Sequence, residues 1–380
     1  MKKKILFVIP ALRGGGAERA LVLLLRHIDR ERFCPKVVVF DSQNDYKEDL
    51  PVDIEIISFG KQGISGMFGN LLLIWALSRL IKVEKPDLLY SSMHYTNNLT
   101  GLAKRFSWVK VPLFFIYQNN TTMEYKPRRL RSVRLVKWIQ RNIIYPAADR
   151  FICVSKGVMD DLIENWDIPR EKACVIYNPV EIDRMQVLAK EDVEHIWFKE
   201  GRPVIIACGR LTAQKNYALL FKAFAIVSKE RPDLRLIILG EGELKNELTA
   251  YAVELGISDK TDFIGFHKNP FKFIARAKVF ALSSLWEGFG NVLIEAMACG
   301  TSVISTRCPS GPDEIITDEV NGLLVPVEDE KAFAAAIIRL LDDEPFREQL
   351  AEAGKMRVEE FRAEKIAAEY GQTFDKVLRN

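Results

Sequence analysis

The sequence predicts an α/β protein built from two doubly wound domains, each with a parallel sheet covered by helices on both faces. Short apolar runs alternate with helical periods along the whole chain of 380 residues, a length that suits two domains. Continuous apolar strands separated by helices are typical of parallel sheets. The runs are ILFVIP, KVVVF, IEIIS, DLLYSS, PLFFIYQ and RFICVS in the first half, and PVIIACG, LRLIILG, TDFIGF, AKVFALSS, TSVIST and NGLLVP in the second.

The chain is expected to divide at YNPVEIDR, where Asn178-Pro179 ends the last strand candidate of the first half. This places a first domain at residues 1–180 and a second at 181–360. The helices between the strands are expected to cover both sheets. The charged helix at 361–380 is expected to pack back on the first domain.

Composition limits the classes of protein that this chain can belong to. A hydrophobic fraction of 48% with 28% charged residues excludes a disordered chain. The six cysteines form no Cys-x-x-Cys pair, so buried thiols in a reducing compartment are predicted rather than disulfides or a zinc site. The N-terminus lacks a signal cleavage site, and the longest other apolar run, 71–77, is far shorter than the roughly 20 residues that span a bilayer. No membrane crossing is expected.

Charge is unevenly distributed, although the net charge is only +3. Residues 1–180 contain 28 lysines and arginines against 18 acids, whereas residues 181–380 contain 26 against 33. The first domain is therefore expected to face an anionic partner. A membrane surface is favoured over nucleic acid, because no base-reading module accompanies the charge.

The segment EYKPRRLRSVRLVKWIQRNII carries part of this charge at helical spacing. Its apolar residues are displaced from the arginines by two positions, about 200° around a helix, so the two sets occupy opposite faces. A membrane or acceptor surface is predicted, with a solvated surface helix as the alternative. The residues assigned to this surface are Arg128, Arg131, Arg134, Trp138 and Arg141.

Three glycines follow the first strand in PALRGGGAERA. A glycine run before a helix brings backbone N–H groups and the helix N-terminus to one place, where a phosphate or a sugar can bind. A tight turn without a ligand is the alternative. A dinucleotide fingerprint with Asp41 as its ribose acid is disfavoured, because G-x-G-x-x-G from Gly14 puts Arg19 at the third glycine.

Two loops of the second domain place charged residues after buried strands. In GRLTAQKN, Arg210 and Lys215 precede a helix, so both cations can reach a diphosphate. In LWEGFGNVLIEAMACG, Glu287 lies in a turn and Glu295 inside the following helix. Carboxylates accept hydrogen bonds from vicinal hydroxyls, so the two glutamates fit a hexose and a ribose with phosphates between them. The alternatives are that the two glutamates only stabilise a helix N-terminus and that the two cations are only solvated surface groups.

Together, GGGAE, GRL-x3-K, GEGEL, EGFGNVLIE and GTSVIST resemble the family 4 glycosyltransferases of the GT-B fold, over essentially the whole chain. The resemblance implies two Rossmann-like domains facing a central cleft and a retaining transferase that holds its nucleotide-sugar mainly in the second domain. It implies that Glu295 binds the ribose, that Arg210 and Lys215 bind the diphosphate, and that Glu287 binds the donor sugar. Glu287, Arg210 and Lys215 are then the catalytic residues.

The same resemblance extends the donor site to further residues. Gly15 and Gly16 would close over the donor from the first domain, and Phe266 with His267 would line the base. Backbone groups around a third segment would meet the sugar and the phosphates. That segment comprises Phe289, Gly290, Asn291, Val292 and Leu293.

One position departs from the family pattern. Many members have a histidine after the fifth strand, whereas this chain has Gln118 in IYQNNTT. Glutamine can hydrogen-bond a sugar hydroxyl but cannot take up a proton, which puts an acid–base role there in doubt. His94, after the fourth strand, is an alternative group, and a structural histidine is an equal interpretation. Without an Asp-x-Asp motif no metal is indicated, because the aspartate pairs at 160–161 and 342–343 fall in helical stretches that are expected to be solvated. No cofactor is expected beyond the donor substrate.

The sequence therefore predicts an enzyme, a retaining and metal-independent hexosyltransferase. It would move a hexose or N-acetylhexosamine from a UDP-sugar to a lipid-linked or glycan acceptor in surface polysaccharide synthesis. The expected location is cytoplasmic, at the inner face of the cell membrane. The alternatives are a sugar-nucleotide epimerase, a synthase with a soluble acceptor, or a non-catalytic nucleotide-sugar-binding protein.

Overall fold

The structure is a computed structural model that describes residues 2–42, 45–46, 48–60, 66–125 and 130–379, without the side chains of 130–133. The chain divides into two compact units. Unit 1 comprises Met1–Pro179 together with Ala363–Asn380, and unit 2 comprises Val180–Arg362.

Unit 1 contains a parallel sheet of seven strands in the order β3-β2-β1-β4-β5-β6-β7. Its strands are β1 (Lys3–Ile9), β2 (Phe33–Val39), β3 (Glu55–Ser58), β4 (Leu88–Ser92), β5 (Leu113–Tyr117), β6 (Arg150–Cys153) and β7 (Ala173–Val175). Its helices before residue 180 are α1 (Gly16–His27), α2 (Gly66–Glu84), α3 (His94–Ser107), α4 (Thr121–Tyr125), α5 (Leu130–Ile139), which continues as a π-helical turn (Gln140–Ile144), and α6 (Lys156–Trp166).

Unit 2 contains a parallel sheet of six strands in the order β10-β9-β8-β11-β12-β13. Its strands are β8 (Val204–Cys208), β9 (Arg235–Leu239), β10 (Thr261–Gly265), β11 (Val279–Leu282), β12 (Ser302–Thr306) and β13 (Leu323–Val325). Its helices are α7 (Ile182–Ala189), α8 (Ile196–Lys199), α9 (Tyr217–Glu230), α10 (Lys245–Glu254), α11 (Phe271–Ile274), α12 (Asn291–Ala298), α13 (Pro312–Ile315), α14 (Glu330–Asp342) and α15 (Glu344–Val358). The last helix of the chain is α16 (Ala363–Leu378), in unit 1.

The central strands are buried on both faces, as their uninterrupted apolar sequences require. Residues 5–9 of β1 are fully buried, and the middle of β8 is buried to the same degree. The predicted pair of parallel sheets is therefore confirmed. The edge strand β7 is absent from the predicted strands, because its three half-buried residues are too few to show a pattern.

Each sheet has one point at which the strand order reverses direction along the chain. It lies between β1 and β4 in unit 1 and between β8 and β11 in unit 2. Loops that leave neighbouring strands in opposite directions open a crevice at the carboxyl edge of a parallel sheet. The GGGAE turn follows β1, the GRL turn follows β8 and the EGFG turn follows β11, so all three lie at such a point.

Among the described residues, one helix is long and apolar enough to cross a bilayer by length and composition alone. This is α2, with 19 residues, and only 33% of the 18-residue window that meets this criterion is buried. The core helix of a soluble protein meets the same criterion. Here one side of α2 is buried through Leu73, Ile74, Leu77 and Ile81, and α2 packs on α3.

The C-terminal helix supplies part of the unit 1 core. Phe374 is fully buried, and its ring lies 5.7 Å from that of Phe33, 5.7 Å from that of Phe114 and 6.4 Å from that of Phe7. Tyr370, one turn earlier, packs on Tyr90 of β4 at 5.9 Å. The helix is therefore an integral layer of unit 1.

We expect Phe374→Ala to destabilise unit 1 by about 3–5 kcal/mol, because it removes a large buried ring and leaves a cavity among three others. Gln372→Ala, at an exposed position of the same helix, is the matched control and should change stability by less than about 0.5 kcal/mol. Urea unfolding followed by circular dichroism measures both. Equal effects of the two variants would contradict a core role for α16.

Candidate functional site

The loops after β8 and β11 meet at the carboxyl edge of the unit 2 sheet. Hydrogen bonds join them at three places: Leu285 N donates to Gln214 O at 2.8 Å, Gln214 Nε2 donates to Trp286 O at 2.9 Å, and Ser283 Oγ donates to Lys215 O at 2.9 Å. The two loops that carry the predicted site residues are therefore fixed to each other. Gln214 and Ser283 were not singled out in the sequence, since their contacts join distant parts of the chain.

A buried ion pair links the same two loops. Lys215 Nζ lies 2.6 Å from Glu287 Oε1, with the lysine side chain 15% exposed and the glutamate 7%. Ser284 Oγ donates to the same carboxylate oxygen at 2.5 Å. The predicted catalytic lysine and glutamate are thus in direct contact, and the fully buried Ser284 was missed because a serine ending a strand carries no distinctive spacing signal.

Glycines explain how the loop after β9 reaches this place. A Cβ on Gly240 would lie 2.1 Å from Gly209 O, and one on Gly242 would lie 2.4 Å from Leu211 O. Backbone bonds run in the same region, from Leu211 N to Glu241 O at 2.9 Å and from Leu244 N to Leu211 O at 3.1 Å. The GEGEL motif therefore supports the GRL turn by close backbone packing.

The third part of the site is the N-terminus of α12. Gly290, its N-cap, has φ of 99° and ψ of 46°, a left-handed conformation that favours glycine. Glu295 is 6% exposed inside the helix. Phe289 and Leu293 are buried, so their side chains pack in the core and only their backbone groups can serve a ligand. Asn291 and Val292, in the first turn, are half-buried.

The loop after β12 packs against the EGFG turn and hydrogen-bonds to it. Gly311 has φ of 97°, and a Cβ there would lie 2.1 Å from Phe289 O. Glu287 N donates to Pro309 O at 3.2 Å, and Thr306 Oγ1 donates to Ser284 O at 2.6 Å. Gly311 is thus a positioning residue that the sequence did not reveal, because a single glycine in PSGPDE reads as an ordinary turn.

Three other predicted donor residues lie around this centre. Arg210 follows β8 and Gly209, is exposed, and has no ion-pair partner within the described ranges. Phe266 is 62% exposed directly after β10. The neighbouring His267 is half-buried, with Nε2 3.1 Å from Ile264 O and its ring 4.8 Å from that of Phe273. The exposed ring of Phe266 can stack on a base, and the guanidinium of Arg210 can bind a diphosphate.

The thiol beside the site is held neutral. Burial and the nearby Glu287 carboxylate raise the pKa of Cys308 to about 12. A thiol with so high a pKa is not an effective nucleophile at neutral pH.

Within the described residues, no three His, Cys, Asp or Glu side chains are grouped closely enough to hold a metal ion. Asp161, interpreted from the sequence as solvated, is instead 7% exposed. Its carboxylate accepts hydrogen bonds from Thr122 N at 3.0 Å and from Asn165 Nδ2 at 3.0 Å. That interpretation is wrong for Asp161, because α4, which contains Thr122, packs on α6 at this point.

In unit 1, the carboxylate of Glu18 lies against the glycine turn. Gly15 is the N-cap of α1, and a Cβ there would lie 2.3 Å from Oε2 of Glu18, which is 9% exposed in the first turn. Tyr46 OH donates to Gly15 O at 3.3 Å, and Gly16 begins the helix. Asp41, the rejected ribose acid, pairs with Arg13. Glu18 stands in the GGGAE motif, and its approach to Gly15 follows from the helix period.

Gln118 and His94 follow the neighbouring strands β5 and β4. His94 Nε2 lies 3.0 Å from Gln140 Nε2, and its ring is surrounded by those of Tyr117, Tyr125 and Trp166 at 5.1–6.1 Å. The histidine is therefore held in an aromatic cluster. Gln118 is half-buried at the end of its strand.

The basic segment is described only in part. Arg128 and the side chain of Arg131 lie outside the described residues. Arg134 and Arg141 are exposed, and Trp138 is 59% exposed. Arg141 Nη1 pairs with Asp167 Oδ2 at 3.2 Å, so part of its charge is compensated.

We expect Gly311→Ala to lower the free energy of unfolding by more than about 2 kcal/mol, because its Cβ must displace the Phe289 carbonyl as well as strain the backbone. Gly256→Ala is the matched control: φ is +66° with no atom within 4 Å, so only about 1–2 kcal/mol of conformational strain applies. Chemical denaturation compares them. A smaller loss in Gly311→Ala than in Gly256→Ala would show that the two loops are not tightly packed.

Lys215→Met should destabilise unit 2 by about 3 kcal/mol, because it leaves the buried Glu287 carboxylate without its cation. Adding Glu287→Gln should restore part of that loss, since the neutral amide can still accept the hydrogen bond from Ser284. Urea unfolding of the two single variants and the double variant measures the coupling free energy. Additive losses would mean that the pair is not formed in solution.

Comparisons with known proteins find matches along nearly the whole chain. The family model "Glycosyltransferase Family 4" matches residues 14–184, and "Glycosyl transferases group 1" matches residues 190–357. A Campylobacter jejuni N-acetylgalactosamine-N,N'-diacetylbacillosaminyl-diphospho-undecaprenol 4-alpha-N-acetylgalactosaminyltransferase is 31% identical over 96% of this chain and 97% of its own. The same organism's GalNAc-alpha-(1->4)-GalNAc-alpha-(1->3)-diNAcBac-PP-undecaprenol alpha-1,4-N-acetyl-D-galactosaminyltransferase is 28% identical over 97% of both chains.

Among solved structures, Anabaena HepE in complex with UDP and glucose superposes with a TM-score of 0.81 at 21% identity, covering 98% of this chain and 100% of its own. That likeness confirms the predicted GT-B fold.

Proposed function

The chain belongs to the family 4 glycosyltransferases, and from this premise we propose that it moves a hexose or N-acetylhexosamine from a UDP-sugar to a lipid-linked acceptor. The observation that carries the proposal is the Lys215–Glu287 pair at the reversal point of the unit 2 sheet, beside the N-terminus of α12. Here a cation, a helix dipole and a buried carboxylate lie within one ligand's length. They suit a diphosphate joined to a polyhydroxylated ring.

We assign the parts of the donor to the residues as follows. Lys215 and Arg210 bind the diphosphate, and backbone N–H groups from Gly290 to Leu293 bind its oxygens. Glu287 accepts hydrogen bonds from the sugar hydroxyls, and Glu295 does so from the ribose. Phe266 stacks on the base and His267 borders it, and donor contacts of Gly15, Gly16 and Gln118 stay predictions of the family resemblance.

Retention and metal independence are part of the proposal. The bond from the sugar C1 to the diphosphate oxygen breaks, and the acceptor oxygen bonds to C1 on the same face. The acceptor's proton passes to the departing phosphate oxygen, so no protein nucleophile is required. Arg210, Lys215 and the α12 N-terminus stabilise the charge that develops on the leaving group.

The acceptor class rests on the relatives. Both Campylobacter enzymes are named for diphospho-undecaprenol-linked glycans, and they align with this chain along nearly its whole length. A lipid-linked acceptor also agrees with the excess of lysine and arginine in residues 1–180. We therefore place the protein at the inner face of the membrane, in surface polysaccharide synthesis, with Arg134, Trp138 and Arg141 as part of its contact with lipid.

The proposal is tested first with nucleotides. At a concentration a hundred times its dissociation constant, UDP should stabilise the fold by about 2.7 kcal/mol, which a thermal shift detects. Glu295→Ala should lose this shift and keep its own folding. Glu254→Ala, an exposed acid on α10, should keep the shift and serves as control. If GDP or ADP raises the melting temperature and UDP does not, the donor carries that nucleotide instead. If no nucleotide raises it, the proposed site is refuted.

Transfer is then measured with a UDP-sugar panel and undecaprenyl-diphosphate-linked glycans. Glu287→Gln should reduce kcat/KM at least about 100-fold while circular dichroism stays unchanged. Nuclear magnetic resonance of the product should show the donor's anomeric configuration, and EDTA should leave the rate unchanged. Nucleotide binding without any transfer would favour a binding protein, and transfer only to a soluble acceptor would favour a synthase.

A further inference from the structure

Large apolar side chains are exposed along one side of α2. Five of them follow the helical period in its first half, with exposed fractions from 41% to 81%: Met67, Phe68, Leu71, Leu72 and Trp75. The opposite side of the same helix is buried and packs on α3. Soluble proteins seldom expose so continuous an apolar surface without using it for an interaction.

Exposed aromatic rings are concentrated on α2 and on two further helices of the same unit, α3 and α5. The described residues expose seven aromatic side chains, and all but Phe266 lie on α2, α3 or α5 or directly after α3. Three of the chain's six tryptophans are among them: Trp75, Trp108 and Trp138. Tryptophan is enriched where a protein meets both hydrocarbon and water, because its ring is apolar and its N–H is polar.

The charges beside this surface have one sign. Arg79, Lys82, Arg105 and Lys110 are exposed on or next to α2 and α3, and Arg79 lies 5.7 Å from the Trp75 ring. Between residues 66 and 110 there are two carboxylates, and lysines hold both: Glu84 through Lys4 and Lys36, and Asp87 through Lys3. In the part of the chain that the structure describes, no ion pair involves these four cations, so the surface presents apolar groups beside positive charge.

The position of α2 relates this surface to the unit 1 crevice. Because α2 connects two parallel strands of one sheet, it begins at the carboxyl edge, where the turns after β1 and β4 lie. Tyr95 OH donates to Asn70 Oδ1 at 2.6 Å, which fixes the second turn of α2 to the start of α3, one residue from His94. The exposed apolar side chains at 67–75 are thus on the same edge as the unit 1 candidate residues.

We propose that the exposed face of α2 is the element that inserts into the membrane, lying in the interface of a bilayer that contains anionic lipid. A surface helix with an apolar face buried near the headgroups and cations reaching phosphates is bound by both effects. A second copy of the chain is a poorer occupant. A two-fold contact would place this surface against itself and bring its cations together. The inference rests on the proposed function in one respect: a lipid-linked acceptor explains why the protein would bind a membrane. Lipid binding itself can be measured without catalysis.

The test is co-flotation of the full chain with vesicles of phosphatidylcholine alone or with phosphatidylglycerol. Leu71→Gln with Trp75→Gln should lower the partition coefficient about tenfold or more in mixed vesicles. The matched control, Val253→Gln with Met356→Gln, removes side chains of similar exposure from unit 2 and should leave it unchanged. Arg79→Gln with Lys82→Gln should lower binding to mixed vesicles by about fivefold for each charge, and less at high salt.

These measurements distinguish a failure of this inference from a failure of the proposed function. If the wild type does not float with either vesicle, or if the α2 variant floats as well as the unit 2 control, the inference is refuted. If sedimentation shows a wild-type dimer that the α2 variant converts to monomer, the surface is a contact between copies and the inference is also refuted. The UDP thermal shift, measured on the same variants, reports on the donor site alone and should be unchanged in all of them.

Discussion

The ion pair between Lys215 and Glu287 is the contact on which the geometry of the proposed donor site depends. It joins two loops that are 72 residues apart in sequence and only 2.6 Å apart at their charged atoms. Taking both charges out of water is unfavourable, so the pair must be compensated by close geometry and by the hydrogen bond from Ser284. A ligand that brings its own phosphates and hydroxyls would find both groups already oriented.

Backbone contacts, rather than large side chains, hold the loops around that pair. Gly240, Gly242 and Gly311 each occupy a place where a Cβ would overlap a carbonyl or amide of the adjacent loop. Four consecutive strand ends are thereby brought within hydrogen-bonding distance at the carboxyl edge. The proposed donor site is therefore closely packed, and a closely packed site limits the cost of ordering its residues when a ligand binds.

Much of this architecture could be predicted from the sequence. The continuous apolar strands predicted two parallel sheets, and the family resemblance assigned Lys215 and Glu287 to the same donor. What the pattern could not give are contacts between distant segments, such as Ser284 with Glu287 or Gly311 with Phe289. The exposed face of α2 was also missed, because LLLIWAL has the same composition whether its side chains face a core or solvent. Only the packing of α3 distinguishes the two sides.

The return of α16 to unit 1 has a consequence for the order in which the protein folds during synthesis. Unit 2 is one continuous segment, Val180–Arg362, and all of it has been translated before α16. Unit 1, although its sheet is made first, lacks the side chains of Tyr370 and Phe374 until α16 has left the ribosome. Its nascent sheet must therefore remain soluble with one face incompletely covered, while the unit translated later completes its core earlier.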